Sequence, residues 1–372
     1  MSSILISTRK GLFVTADHQV SADSPVHHGI TRAHFIGDNV TLAMVDPRDR
    51  SWYAALDHGH FGVKLHRSDD HGETWTEIST PAYPAQPTGS VEKGPAGREV
   101  TWATSLIWAL APALDADGAL WCGTLPGGLF RSEDRGATWR LVESLWFHPS
   151  RTKWFGGGAD DPGIHSICVD PRDPKTVVVG VSCGGVWRTR DAGVTWANTA
   201  TGMRAVFMPP ERELDPDIQD VHLVVQCATS PTHFWAQHHC GIYRSTDDMA
   251  SWSEIPTAGP STFGFAVVVD PADPDTAWFL PGVSDQKRIP VGGKLVVTRT
   301  RDGGQSFEVL DAGLPTEHAY DVVYRHAFAR GPDGTLAFGS TTGNVYASRD
   351  RGDTWVAVSN HLPPVHAITF VA

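Results

Sequence analysis

A chain of 372 residues, 41% hydrophobic and 19% charged, can bury a sizeable core and is too apolar to stay disordered. Its net charge of −12 comes without a basic block, which argues against nucleic acid or an anionic membrane as partner. No apolar run reaches the length of a membrane span. The five dispersed cysteines, with no C-x-x-C pair, fit reduced thiols in a cytoplasmic protein better than a disulfide framework.

From the N-terminus, ILIST (4–8) and GLFVT (11–15) alternate as strands, with a further run near Ala33–Ile36, so this end reads as structure and not as a secretory signal. An eight-residue segment then recurs as SDDHGETW (68–75), SEDRGATW (132–139), TRDAGVTW (189–196), STDDMASW (245–252), TRDGGQSF (300–307) and SRDRGDTW (348–355). The pattern is Ser/Thr-x-Asp-x-Gly-x-Thr/Ser-aromatic, with mild departures at Met249 and at Gln305–Ser306. Short polar side chains bond nearby backbone N–H groups, glycine supplies a positive φ, and the aromatic packs beneath, so each segment is a hairpin turn. Further strand-like runs flank each turn. In the third unit they are IHSICVD (164–170), TVVVGVS (176–182) and GVWRTR (185–190), and the first strand of a unit often ends in Asp-Pro, as in MVDPRD (44–49).

Six copies spread along one chain indicate a repeat architecture. The segments resemble the Asp-box, or BNR repeat, of sialidases, sortilin-type receptors and related β-propellers, and the resemblance covers essentially the whole chain. It implies a fold and leaves function open. Four antiparallel strands, A to D, make one blade. Six boxes mark six blades, while VHAITFV (365–371) is left as a strand A that the N-terminal runs complete. The expected fold is therefore all-β, a seven-bladed propeller in a single domain over 1–372. Blade seven is formed by about 1–37 plus 362–372, so that both termini close the ring.

Strand parity places the boxes and Asp-Pro turns at one end of the ring and the D–A and B–C loops at the other, where a ligand site is expected. Aligned by the repeat, the starts of strands A in blades one to seven read Thr41, Trp108, His165, His222, Phe265, Tyr324 and His366. The B–C loops of that face add Lys10, His58, His60, His238 and His239. Imidazoles converging there suit a divalent metal ion, zinc first, with manganese, iron, copper and calcium as alternatives. The candidate ligands are His58, His60, His165, His222, His238, His239 and His366. Asp220, Asp321, Tyr324 and His326 are the candidate catalytic groups, and Trp108, Phe265, Arg288 and Lys10 the candidate substrate contacts. His66 and His71 fall on the scaffold, and His18, His27, His28, His34 and His361 read as solvated surface.

The reading that follows is a metal-dependent hydrolase that activates water against a small ester, lactone, phosphoester or phosphotriester. The family resemblance implies an alternative, a sialidase-like glycoside hydrolase, for which Arg-Ile-Pro (288–290) is a hallmark. That tripeptide follows the fourth box here, whereas the family places it before the first, and sialidase catalytic domains have six blades. A third reading is a non-catalytic binding or assembly propeller. Oligomeric state is not legible.

Overall fold

The computed structural model describes residues 3–15, 29–89, 91–95, 97–157 and 159–371; His18, His27 and His28 lie outside these. Seven four-stranded antiparallel sheets are formed. Six of them follow chain order, beginning with Asn39–Val45, Trp52–Asp57, Val63–Ser68 and Thr76–Ile78 as blade one. The seventh pairs Val365–Phe370 with Ile4–Thr8, then adds Gly11–Thr15 and Ile30–His34. The ring is thus closed by joining its two ends in one sheet, with Ile4 opposite Phe370 and Ile6 opposite Ile368.

The inner strands are buried on both faces, because each blade packs against a neighbour on either side. Val177–Val181 (VVVGV) is an example, fully buried and β-branched apart from one glycine. The core consequently sits between blades. Val178 and Val186 of blade three meet Phe234 and Tyr243 of blade four, and Trp187 and Trp154 pack with Trp121 of blade two. His34, expected at the surface, instead has its ring edge-on to Trp75 at 5.9 Å, and burial lowers its pKa. In blade six strand A begins at Phe328, so Tyr324 lies before it, at the start of the short turn Arg325–Ala327.

The six repeated turns share one hydrogen-bond network. In the first, the Ser68 hydroxyl donates to Asp70 (2.7 Å) and accepts the Gly72 N–H (2.8 Å), while Asp70 accepts the N–H (2.9 Å) and hydroxyl (2.6 Å) of Thr74. Gly72 has a φ of +85°, and a Cβ there would lie 2.6 Å from the Trp52 ring, so conformation and space both require glycine. The Thr74 bonds hold Asp70 at a pKa of about 2, and the equivalent bonds from Thr195 and Ser306 do the same for Asp191 and Asp302.

A carboxylate whose folded pKa is depressed stabilises the fold above its unfolded value of about 4, and that stabilisation is lost as pH falls towards 2. Urea midpoints are therefore expected to drop between pH 4 and pH 2, and to drop less steeply in an Asp70→Asn, Asp191→Asn, Asp302→Asn triple variant. Equal pH slopes for the two proteins would contradict the assignment.

Candidate functional site

Inner strands carry one extra residue near their starts. Pairing registers shift across Thr41, Trp108, His165 and His222, between Gly264 and Val267, and opposite His366. A bulge takes a side chain out of the alternating pattern and re-aims it. Here bulges carry Thr41, Trp108, His222, Phe265 and His366 to an axial mouth of about 300 Å³. Tyr324, Arg325 and His326 enter from the turn before blade six, Asp285 and Arg288 from the 282–294 insertion, and Gly157, Asp220 and His239 from the loops of blades three and four. The opposite end of the axial channel is wider, about 650 Å³, but is walled largely by aliphatic strand residues such as Leu42, Val224 and Val268. The two carboxylates Asp220 and Asp285 and most of the convergent imidazole and aromatic side chains line the smaller mouth.

Two long loops fix Asp220. Lys153, ending the turn Pro149–Lys153, is 2.8 Å from Asp217 in the turn Pro216–Ile218, and Asn198 donates to the Pro216 carbonyl. Asp220 is 3% exposed. One carboxylate oxygen accepts the Cys183 N–H at 3.3 Å. The other lies 3.3 Å from His239 Nδ1 and 3.8 Å from His222 Nε2. Burial opposes ionisation of Asp220, but the His239 hydrogen bond and the neighbouring imidazoles hold its pKa well below the carboxylate range. The same bond raises His239, whereas burial pushes His222 down to about 4.

Gly157 closes over this carboxylate. A Cβ there would lie 2.9 Å from Asp220 Oδ2 and 3.0 Å from Cys183 Sγ. Gly157→Ala is expected to displace Asp220 and lower any turnover at the mouth about 10- to 100-fold, with little change in Tm. Steady-state kinetics beside a thermal melt checks this.

Aromatic faces form the wall. His222 stacks on Phe265 (centroids 4.6 Å, 16°), Tyr324 meets the same ring edge-on at 4.7 Å, and the Arg288 and Arg325 guanidinium groups lie 5.4 and 5.9 Å from its centre. Arg325 also covers Trp108 at 4.6 Å, and its Nε has no hydrogen-bond partner among the described residues. Arg288 is paired with Asp285.

Several residues expected at the site are placed otherwise. Lys10 is exposed in the turn between the first two strands. His60 is exposed in the turn Gly59–Phe61, and His58 leans towards Asp38 at 3.9 Å. His165 spends both ring nitrogens internally: Nε2–H donates to the Val221 carbonyl (2.8 Å) and Nδ1 pairs with Ser166 (2.9 Å). His238 Nδ1 accepts the Cys240 N–H, and the ring is fully buried. His366 pairs with Asn39, and His326 donates to the His165 carbonyl from the floor of the mouth. Asp321 accepts from Ser340, Thr342 and Asn344, clamping a turn. Of the seven candidate ligands, only His222 and His239 converge with a carboxylate among the described residues.

No family model matches the chain. An oligoxyloglucan-reducing end-specific xyloglucanase of Emericella nidulans is 30% identical over 254 residues, covering 66% of this chain and 26% of its own. A xyloglucanase of Acetivibrio thermocellus is 30% identical over 145 residues, covering 35% of this chain and 16% of its own. The chain thus spans about a quarter or less of the length of these relatives. The structure of the GH74 xyloglucanase from Xanthomonas campestris superposes with a TM-score of 0.55 at 17% identity, covering 86% of this chain and 45% of that one, which shows shared fold. The curated relatives overturn the expectation of a metal-dependent hydrolase of esters, lactones or phosphoesters: they are named as xyloglucanases, which fits the glycoside hydrolase alternative better. Of the seven imidazoles, His165, His238 and His366 are engaged in hydrogen bonds within the scaffold and His60 is exposed, so histidines that share a face do not make a shared ligand set.

Proposed function

We propose that the chain is a glycoside hydrolase that takes an oligosaccharide at the axial mouth. The observation that carries this reading is the meeting there of aromatic faces, two arginines and two carboxylates, Asp220 and Asp285. Sugars offer apolar C–H faces to Trp108 and Tyr324, packed around the buried Phe265 ring, and hydroxyls to the polar groups between them. Glycosidic hydrolysis uses two carboxyl groups, one acting on the leaving oxygen and the other on the opposite face of the sugar. Asp285 at the rim and Asp220 in the wall are the pair the mouth offers, with Arg288 holding Asp285 in place. The relatives named as xyloglucanases support the reaction class, and branched glucan oligosaccharides are the substrates to try first. The Asp-box likeness belongs to the same proposal, since it supplies the scaffold and leaves the mouth free to vary.

The test is kinetic. Asp285→Asn is expected to lower turnover of an oligosaccharide substrate by about 100-fold or more. An unchanged rate would remove Asp285 from the mechanism and with it this assignment of the site.

A further inference from the structure

We infer that Asp220, His222 and His239 bind one divalent first-row transition ion of the zinc class in the wall of the mouth. The argument begins with a fixed tautomer. His222 Nδ1 lies 2.7 Å from the Gly264 carbonyl oxygen, which can only accept, so Nδ1 carries the proton. In the neutral ring Nε2 then presents a lone pair, and Asp220 Oδ2 lies 3.8 Å from it. Two acceptors facing each other across a gap with no hydrogen between them repel, and a cation in the gap removes that repulsion.

His239 Nδ1 borders the same space, 3.3 Å from Asp220 Oδ2. One ligand atom from each of the three residues lies within 4.8 Å of the other two. A tetrahedral ion with bonds of about 2.1 Å holds its donors about 3.4 Å apart, so the observed 3.3 and 3.8 Å need only small adjustments. Two imidazoles and one carboxylate are also a donor set that such ions prefer.

The surrounding contacts are those of a supported ligand set. Gly264 orients His222 through its Nδ1–H, and the Cys183 N–H holds the oxygen of Asp220 that faces away from the histidines. Gly157 packs beside the carboxylate, where a Cβ would come within 2.9 Å of Oδ2. Arg288 and Arg325 are the cations sharing the mouth. The ion site does not depend on the glycoside hydrolase reading, because its readout is uptake of metal without substrate.

The experiment uses the full chain, purified without a histidine tag, stripped by dialysis against chelator and titrated calorimetrically with Zn²⁺. Co²⁺ absorbance serves as a second probe. The expected result is one ion per chain, with visible Co²⁺ bands of a site containing imidazole. His239→Gln and Asp220→Asn should each weaken uptake at least 100-fold, and exposed His60→Gln should leave it unchanged. Circular dichroism establishes that each variant is folded; should Asp220→Asn fail to fold, the half-buried His239→Gln decides. No saturable uptake by the native chain, or uptake unaffected by His239→Gln, would overturn the proposal.

Discussion

Asp220→Asn is expected to reduce oligosaccharide turnover by about 1,000-fold or more while leaving the ring folded. The substitution keeps the shape of the side chain and the oxygen that accepts the Cys183 N–H. It removes the negative charge that faces both His222 and His239. General acid–base and electrostatic roles of a buried carboxylate commonly contribute factors of about 10² to 10⁴ each. Asp220 is half of the proposed carboxyl pair and also sets the ionisation of His239, so the upper part of that range applies. Turnover measured beside a thermal melt separates the outcomes. A rate within tenfold of the native chain, in a variant that melts normally, would exclude Asp220 from the chemistry.

The second large effect concerns closure of the ring. A chain ending at Pro364 is expected to lose cooperative unfolding altogether. The strand removed, Val365–Phe370, buries Val365, Ala367 and Ile368 and covers Ile4 and Ile6, both almost fully buried. Burying each large aliphatic side chain is worth about 1.5–3 kcal/mol. Losing or exposing four of them, Ile4, Ile6, Val365 and Ile368, costs about 6–12 kcal/mol. That is comparable with the whole stability of a typical domain, about 5–15 kcal/mol. It also leaves an open sheet edge where the circle had none. Circular dichroism on heating provides the check: a sharp melt within a few degrees of the native chain would show that closure contributes little.

The parts of the molecule readable from sequence are those whose chemistry is local. The box turns are built from side chains bonding backbone two and four residues away, as with Ser68, Asp70 and Thr74, so the residues that make the turn are the residues that announce it. Counting them gave the blades, and the unpaired runs at 4–15 and 365–371 gave the closure. Alignment by repeat also located Trp108, His222, Phe265 and His366 at one end, because their bulges recur at one place in successive blades. Asp285 was missed because the 282–294 insertion has no counterpart in other blades and no period to align. Tyr324 was named but expected in a strand, since nothing in its sequence separates the start of blade six from the turn ahead of it.

Histidine misled where its partners are distant in sequence. His165 is bonded to the Val221 carbonyl, 56 residues away, and His366 to Asn39, 327 away. A pattern along the chain carries no trace of such bonds, and so a face crowded with imidazoles looked like a metal centre with seven ligands. Among the described residues, only His222 and His239 lie close enough to each other and to a carboxylate, Asp220, to be the ligands proposed above.

The most direct test of the proposed activity is to incubate the native chain with a panel of oligosaccharides, xyloglucan fragments and a sialoside among them, and to resolve the products by chromatography. Release of shorter sugars from at least one member, lost in both Asp220→Asn and Asp285→Asn, is the predicted result. A panel left intact by folded native protein, with or without added Zn²⁺, would contradict the assignment of a glycoside hydrolase site to the axial mouth.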